Sequence, residues 1–267
     1  MKKYKMDLIQ LEQNIISKKT FLCLGLDTDI DKIPKHLLNS QDPVFDFNKS
    51  LVDRLSSKIV AVKINTAFYE SRGKDGWSSL EKSIDYIKSN HPDLFTIADA
   101  KRADIGNTSE MYAKAFFEKM NFDSITLSPY MGEDSVKEFL KYDDKYAILL
   151  ALTSNDGAND FQLPNGLYLD VISKSQKWNN SQKLMYVVGA TKSDYLEKIR
   201  DITKDIFLLI PGIGTQGGNL QQTIANSTKR NKRILINMSR SIIYASNGVN
   251  YLDSAEKVVD DFNLKSF

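Results

Sequence analysis

Asp99, Lys101 and Asp104 stand close together in the stretch Leu94-Phe-Thr-Ile-Ala-Asp99-Ala-Lys101-Arg-Ala-Asp104-Ile105-Gly106-Asn-Thr108, where an apolar run ends in charge. Charge at the end of a buried strand is costly unless it is paired and hydrogen-bonded. Alternating carboxylates and ammoniums can share hydrogen bonds, so that each stays charged out of water. Such a cluster fixes a cationic acid beside an anionic base. Two further charges follow the same pattern. Asp27 closes the apolar run 21–26, Lys63 closes 59–62, and the intervals from Asp27 to Lys63 and from Lys63 to Asp99 are both 36 residues. A surface turn with scattered charge accounts for any one of these positions. Three equally spaced strand ends favour an active site. Asp99 and Lys101, two apart, face the same side in extended geometry. Asp104 alone also fits a charge at a helix start, and Asn107 with Glu110 has capping-box spacing for that helix.

The far end of the chain offers a second kind of chemistry. Pro211-Gly-Ile-Gly-Thr-Gln216-Gly217-Gly218 follows an apolar run and opens a helix-like stretch, so its free amides and the helix start suit an anion. Arg240, in Asn237-Met-Ser239-Arg240, follows the next apolar run and adds a planar fork of donors. Tight turns explain the glycines without a ligand, but Arg240 at the neighbouring strand end favours phosphate. His36 and His91 lie beside prolines in loops and read as surface residues. Neither a His/Cys metal cluster nor a Ser-His nucleophile pair is evident.

These residues need elements to position them. Eight short apolar runs end at or near 26, 62, 98, 127, 152, 188, 210 and 236. Helix-like stretches separate them, near 44–57, 77–88, 133–141, 167–178, 192–203, 218–230 and 251–264. Strands alternating with helices imply parallel βαβ units, and buried parallel strands read as continuous apolar runs. Eight units in 267 residues point to an α/β fold of the (β/α)8 TIM-barrel type, as one domain over 1–267. Leu8, Leu11 and Ile15 add an amphipathic N-terminal helix. A doubly wound sheet is the second choice, but the first turn, Gly25-Leu-Asp-Thr-Asp, lacks a dinucleotide fingerprint. Barrel active sites form at the carboxyl ends of the strands, and the loops after strands seven and eight often bind phosphate. Residues 153–166, rich in Ser, Asn, Asp and Gly, form the longest loop and read as a lid or as a surface excursion.

Composition narrows the function classes. With 42% hydrophobic and 26% charged residues the chain is of ordinary globular type. A net charge of +2 is no nucleic-acid signature. The single cysteine, Cys23, sits in an apolar run and reads as a core residue. The start, Met-Lys-Lys-Tyr-Lys, has no signal-peptide core after it, and the run 146–152 is far too short to span a bilayer. A soluble, cytoplasmic protein with no membrane partner is expected.

Asp99-Ala-Lys101-Arg-Ala-Asp104-Ile105-Gly-Asn-Thr108 resembles the D-x-K-x-x-D-I-G-x-T element of orotidine 5′-phosphate decarboxylases. The resemblance extends through Gly25-Leu-Asp27, Val62-Lys63-Ile-Asn65, Thr153-Ser154-Asn155, the Pro211 to Gln216 segment and Ser239-Arg240, and so covers essentially the whole chain. Thr-Ser-Asn after strand five is similar to the longer subgroup found in some bacteria and apicomplexan parasites. The resemblance implies loss of CO₂ from orotidine 5′-monophosphate to give uridine 5′-monophosphate, the last step of de novo UMP synthesis. It implies no metal, no organic cofactor, and a homodimer with shared sites. It further implies that Lys101 protonates C6, with Asp99 and Asp104 of the partner subunit near the substrate carboxylate. Lys63 would hold that network and the ribose. Asp27 and Asn65 would take ribose hydroxyls, assisted by Thr108 of the partner subunit. Ser154 would read the pyrimidine amide edge, and Gln216 and Arg240 would hold phosphate. Ile105, Thr153, Gly217 and Ser239 complete the implied substrate contacts.

Three alternatives stay open at this point. A metal-dependent keto-sugar-phosphate decarboxylase of the same suprafamily also carries D-x-K-x-x-D, but places metal-binding acids at strand ends, where this chain has Lys63. A non-catalytic nucleotide-binding barrel and a Schiff-base aldolase using Lys101 are the others.

Overall fold

The computed structural model describes residues 6–213 and 218–267. Its strands β1 (Leu22–Gly25), β2 (Ala61–Asn65), β3 (Phe95–Arg102), β4 (Ser124–Leu127), β5 (Tyr146–Leu152), β6 (Leu184–Val188), β7 (Leu208–Pro211) and β8 (Ile234–Met238) follow one another in a closed barrel, in chain order. The pairings β1–β2, β2–β3, β4–β5, β5–β6, β6–β7 and β7–β8 are all parallel. This is the expected (β/α)8 architecture. β4, β6 and β8 are buried along their whole length, which is why β6 reads as an unbroken apolar run and β4 and β8 as mostly apolar ones, with Ser124, Thr126 and Asn237 the polar exceptions.

The amphipathic opening helix α1 (Leu8–Lys18) is present, capped by Asp7, whose carboxylate accepts the Gln10 amide at 2.8 Å. It buries Leu11 and Ile15. After β1, α2 (Pro43–Leu55) starts with Pro43 in its first turn and the Asp42 carboxylate on the Phe45 amide. α3 (Ala67–Glu70) and α4 (Gly73–Asn90) follow β2, and α5 (Gly106–Ala113) follows β3, running on into a π-helical turn, Lys114–Lys119. α6 (Ala158–Phe161) and α7 (Leu167–Ser175) follow β5, so the long loop expected over 153–166 is partly helical. α8 (Ser193–Thr203) follows β6 and α9 (Leu220–Ser227) follows β7. The short α10 (Arg240–Ile243) and α11 (Tyr251–Ser266) follow β8. Among the described residues, no helix is long and apolar enough to cross a membrane.

Two local expectations fail. The stretch 133–141 is no α-helix but two 3-10 turns, Glu133–Ser135 and Phe139–Lys141. Val136, Phe139 and Leu140 are buried, so 3-10 turns satisfy the apolar spacing that suggested a helix. The Asn107–Glu110 capping box is also absent. α5 begins at Gly106 behind an uncapped Ile105, and Glu110 pairs with Lys114 at 2.7 Å.

By contact density the chain divides into two compact units, one of 1–100, 120–122 and 238–267, the other of 101–119 and 123–237.

Candidate active site

In the first unit, β1 and β2 pair with Gly25 opposite Lys63, and β2 and β3 pair with Asn65 opposite Asp99. This register brings three of the expected residues together. The Lys63 ammonium lies 2.9 Å from Asp99 Oδ2 and 3.4 Å from Asp27 Oδ1. Lys63 is 3% exposed, so the charges meet largely out of water. Burial alone pulls its pKa down, but the attraction of Asp99 and Asp27 outweighs this and holds it above the ordinary 10.5. Cys23 packs in the strand beneath, its thiol pushed up to about 12 by burial and then by the two carboxylates against the opposing pull of Lys63. It is an inert core residue, as expected. Asn65 closes β2 half-buried, its side chain accepting the Ala67 amide at 3.3 Å.

The backbone carrying Asp27 is fastened on both sides. The Leu26 amide donates to Lys63 O at 2.8 Å, and Tyr69 Oη donates to Leu26 O at 3.2 Å. Thr28 Oγ1 donates to Asn48 Oδ1 at 2.7 Å, while Asn48 Nδ2 reaches Tyr69 Oη and Ser83 Oγ. This buried polar network is satisfied within α2, α3 and α4, which fixes the segment while leaving the Asp27 carboxylate to Lys63. Sequence reading missed Asn48 and Tyr69. The one signal for Asn48 was a polar group on the otherwise apolar buried face of α2.

After β8, Ser239 Oγ is buried and has no hydrogen-bond partner among the described residues, and the next residue, Arg240, is exposed. An unsatisfied buried hydroxyl beside an exposed guanidinium suits an anionic oxygen.

In the second unit, the strand continues through Lys101, but not in extended form. Lys101 has φ 45°, the left-handed region, and its amide donates to Thr126 Oγ1 at 2.9 Å. The expected alternation from Asp99 to Lys101 therefore stops at Ala100. The strained backbone sets the direction of an exposed lysine, and such strain persists where surrounding structure holds it. Asp104 accepts the Ile105 amide at 2.8 Å, and its carbonyl accepts a hydrogen bond from Ser109 Oγ. Ile105 and Thr108 are exposed.

Thr153 and Ser154 follow β5 and are held from three directions. The Thr153 amide donates to Gln162 Oε1 at 2.7 Å, and Gln162 Nε2 donates to Thr153 Oγ1 at 2.9 Å. Thr191 Oγ1 donates to Ser154 O at 2.9 Å. Gly189, at the end of β6, lies so close that a Cβ there would stand 2.6 Å from Ser154 Cα and N. None of Gln162, Gly189 and Thr191 was legible as a site residue, because each acts by a through-space approach without a local motif. Gln216 and Gly217 lie outside the described residues. Their flanks converge: Ile213 bridges Gly218, and the Gly218 amide donates to Gly212 O at 3.2 Å. A Cβ at Gly218 would meet Ala190 Cβ at 2.6 Å, so glycine is required there.

A closed parallel barrel that collects a buried Asp–Lys–Asp cluster at its strand ends has the layout of a barrel enzyme. The comparisons with known proteins are specific. The chain belongs to the orotidine 5′-phosphate decarboxylase / HUMPS family, whose model matches residues 20–255. It is 54% identical over 252 residues, 93% of this chain and 92% of the relative, to an orotidine 5′-phosphate decarboxylase of Flavobacterium johnsoniae. With that of Christiangramia forsetii it shares 56% identity over 250 residues, 92% of each chain. Among solved structures, the OMP decarboxylase of Leishmania donovani superposes with a TM-score of 0.82 at 29% identity, covering 98% of this chain and 100% of that one.

Proposed function

We propose that this chain, working as one domain, removes CO₂ from orotidine 5′-monophosphate to give uridine 5′-monophosphate, the last step of UMP synthesis. The buried Asp27–Lys63–Asp99 cluster carries the reading, because a chain similar to orotidine 5′-phosphate decarboxylases keeps its charges at the ends of β1, β2 and β3. In this reading the bond from C6 to the carboxylate breaks and its electron pair stays on C6. The Lys101 ammonium stabilises that charge and delivers its proton to C6; water then reprotonates the amine. Asp99 and Asp104 of the partner subunit flank the leaving carboxylate, and Lys63 holds Asp99 and Asp27 in place. Asp27 and Asn65 take ribose hydroxyls with Thr108 of the partner subunit, and Ser154 with Thr153 reads the pyrimidine edge. Arg240, Ser239, Gln216 and Gly217 hold phosphate. Binding energy from this remote group is useful where it is realised in the transition state.

The direct test is the pyrimidine absorbance of orotidine 5′-monophosphate on adding folded protein, which should change catalytically and persist in a chelator. An unchanging spectrum sinks the proposal. Activity that returns only with Mg²⁺ points instead to the metal-dependent keto-sugar-phosphate reaction, which an ammonium at Lys63 opposes.

The site is read as shared across a cytoplasmic homodimer. Ile105, Met111, Tyr130 and Met131, all apolar and 46–86% exposed, fall on the segments after β3 and β4. Exposed apolar residues collected on segments next to site residues favour a protein partner. Lys101→Ala and Asp104→Ala should each be inactive, and mixing them should restore activity, since one site of each heterodimer carries neither lesion. Subunit exchange without recovery would place Asp104 in its own chain's site.

A further inference from the structure

Packing alone does not explain the hydroxyl of Tyr244. Tyr244 closes α10, and its amide donates to Arg240 O at 3.1 Å. Its phenol reaches the segment after β1, where Tyr244 Oη donates to Asp27 O at 3.1 Å and accepts the Asp29 amide at 2.7 Å. The ring stacks on the fully buried Phe47, with centroids 6.2 Å apart and planes 10° from parallel.

We propose that Tyr244 is a positioning residue that couples the phosphate-holding segment at Arg240 to the ribose-holding segment at Asp27, so that phosphate held at one orders the other. The inference rests on the roles given to Arg240 and Asp27 in the preceding subsection. A phenylalanine would fill the same space against Phe47. What the hydroxyl adds is a donor and an acceptor, both used, on two backbone groups that bracket the Asp27–Asp29 turn. Tyr69 and Asn48 also fasten this turn, but from α3 and α2. Tyr244 fastens it from the helix that begins with Arg240. The path is short and continuous: the Arg240 carbonyl, the Tyr244 amide, the stacked ring, its hydroxyl, then Asp27 and Asp29. Burial pushes the phenol up to about 12, so the hydroxyl keeps its proton and remains a donor to Asp27 O at neutral pH.

A double-mutant cycle tests the coupling. Tyr244→Phe keeps the ring and removes two hydrogen bonds, and should lower kcat/KM for orotidine 5′-monophosphate by about tenfold. With Arg240→Ala already present, the same substitution should cost less than about twofold, because there is no phosphate contact left to transmit. A purely structural tyrosine would give equal losses in both backgrounds, and that result, or a neutral Tyr244→Phe, overturns the proposal. A measurement on the unaltered protein covers the case of a variant that does not fold. Saturation with UMP should slow hydrogen exchange at the Asp29 amide about tenfold, whereas uridine at the same occupancy should leave it within about twofold of the free protein. Equal protection by the two ligands refutes the coupling. The two layers fail differently. Wild-type protein that leaves orotidine 5′-monophosphate unchanged, or Arg240→Ala that keeps full preference for UMP over uridine, removes the underlying reading and the coupling with it. A lost preference with an additive cycle removes the coupling alone.

Discussion

Replacing Lys63 by methionine should cost the protein both its activity and much of its stability, and the size of the second effect follows from the structure. The ammonium stands 2.9 Å from Asp99 and 3.4 Å from Asp27, whose side chains are only 11% and 17% exposed. Methionine fills most of the volume but leaves two like charges facing each other with little water. Removing one partner of a buried ion pair costs about 3–5 kcal/mol. At roughly 2–4 °C per kcal/mol for a domain near this size, thermal unfolding at pH 7 should fall by roughly 6–20 °C. The pH dependence separates charge from packing. In the wild type the folded pKa of Lys63 lies above 10.5. Its contribution is therefore complete below that pH and is lost only as pH rises through the raised folded value. The wild type should show no Lys63-linked change between about pH 6 and 9. In Lys63→Met the folded state holds protons on the stranded carboxylates more tightly than the unfolded chain does. Its deficit should narrow as pH falls towards about 5. Adding Asp27→Asn and Asp99→Asn to the methionine variant should recover most of the stability and none of the activity, since neutral replacement of a whole buried ionic group is often tolerated. Circular dichroism melts at several pH values, together with turnover of orotidine 5′-monophosphate, measure all of this. A methionine variant that melts within about 2 °C of the wild type at pH 7 would refute the claim that these charges depend on one another.

Three other outcomes follow from single contacts. Gly189→Ala should raise KM for orotidine 5′-monophosphate about tenfold, because its Cβ would displace the Ser154 backbone from 2.6 Å; unchanged kinetics would remove Ser154 from the site. Arg200 is fully buried and donates to the carbonyls of Ser227, Lys204, Ile206 and Arg233, so Arg200→Met should lower stability by about 3 kcal/mol or more in denaturant titration. Arg200→Lys should not restore it, as an ammonium lacks the planar fork. Arg200 serves the entries to β7 and β8, away from the carboxyl ends, so the protein that remains folded should keep its kcat. Lys101→Ala and Lys101→Gly should both be inactive, with the glycine variant the more stable by about 1 kcal/mol, because φ 45° strains alanine and not glycine; equal melting temperatures would mean the backbone there is unstrained.

The parts of the fold legible in the sequence were those where one force dominates. β5 and β6 are apolar from end to end, and burial fixes their limits. β2 and β3 run further than their apolar residues do, to Asn65 and Arg102. A lysine or aspartate in a strand normally marks its end, because the desolvation of a lone charge is prohibitive. Here Lys63 and Asp99 continue their strands because each removes the other's penalty. That mutual dependence is invisible within either segment and appears only in the equal spacing of Asp27, Lys63 and Asp99. The same spacing carried the site.

What stayed hidden was geometry made by contacts distant in sequence. Gly189 and Ser154 touch across adjacent strands, and neither residue type announces the other. Tyr244 reads as packing because its ring does pack; only the position of its hydroxyl against Asp27 and Asp29 gives it a further role. Lys101 is the sharpest case. Strand periodicity places it beside Asp99, yet its backbone turns left-handed where a lysine is penalised by about 1–3 kcal/mol. A sequence selected for stability alone would put glycine there. Lys19 and Lys204 also have positive φ, but at helix ends, where a left-handed residue closes the helix; Lys101 takes it inside β3, where it sets the direction of the side chain. If Lys101 is the proton donor proposed above, the local rule is broken where a conflict between stability and chemistry should fall, and the Lys101→Gly comparison measures that conflict.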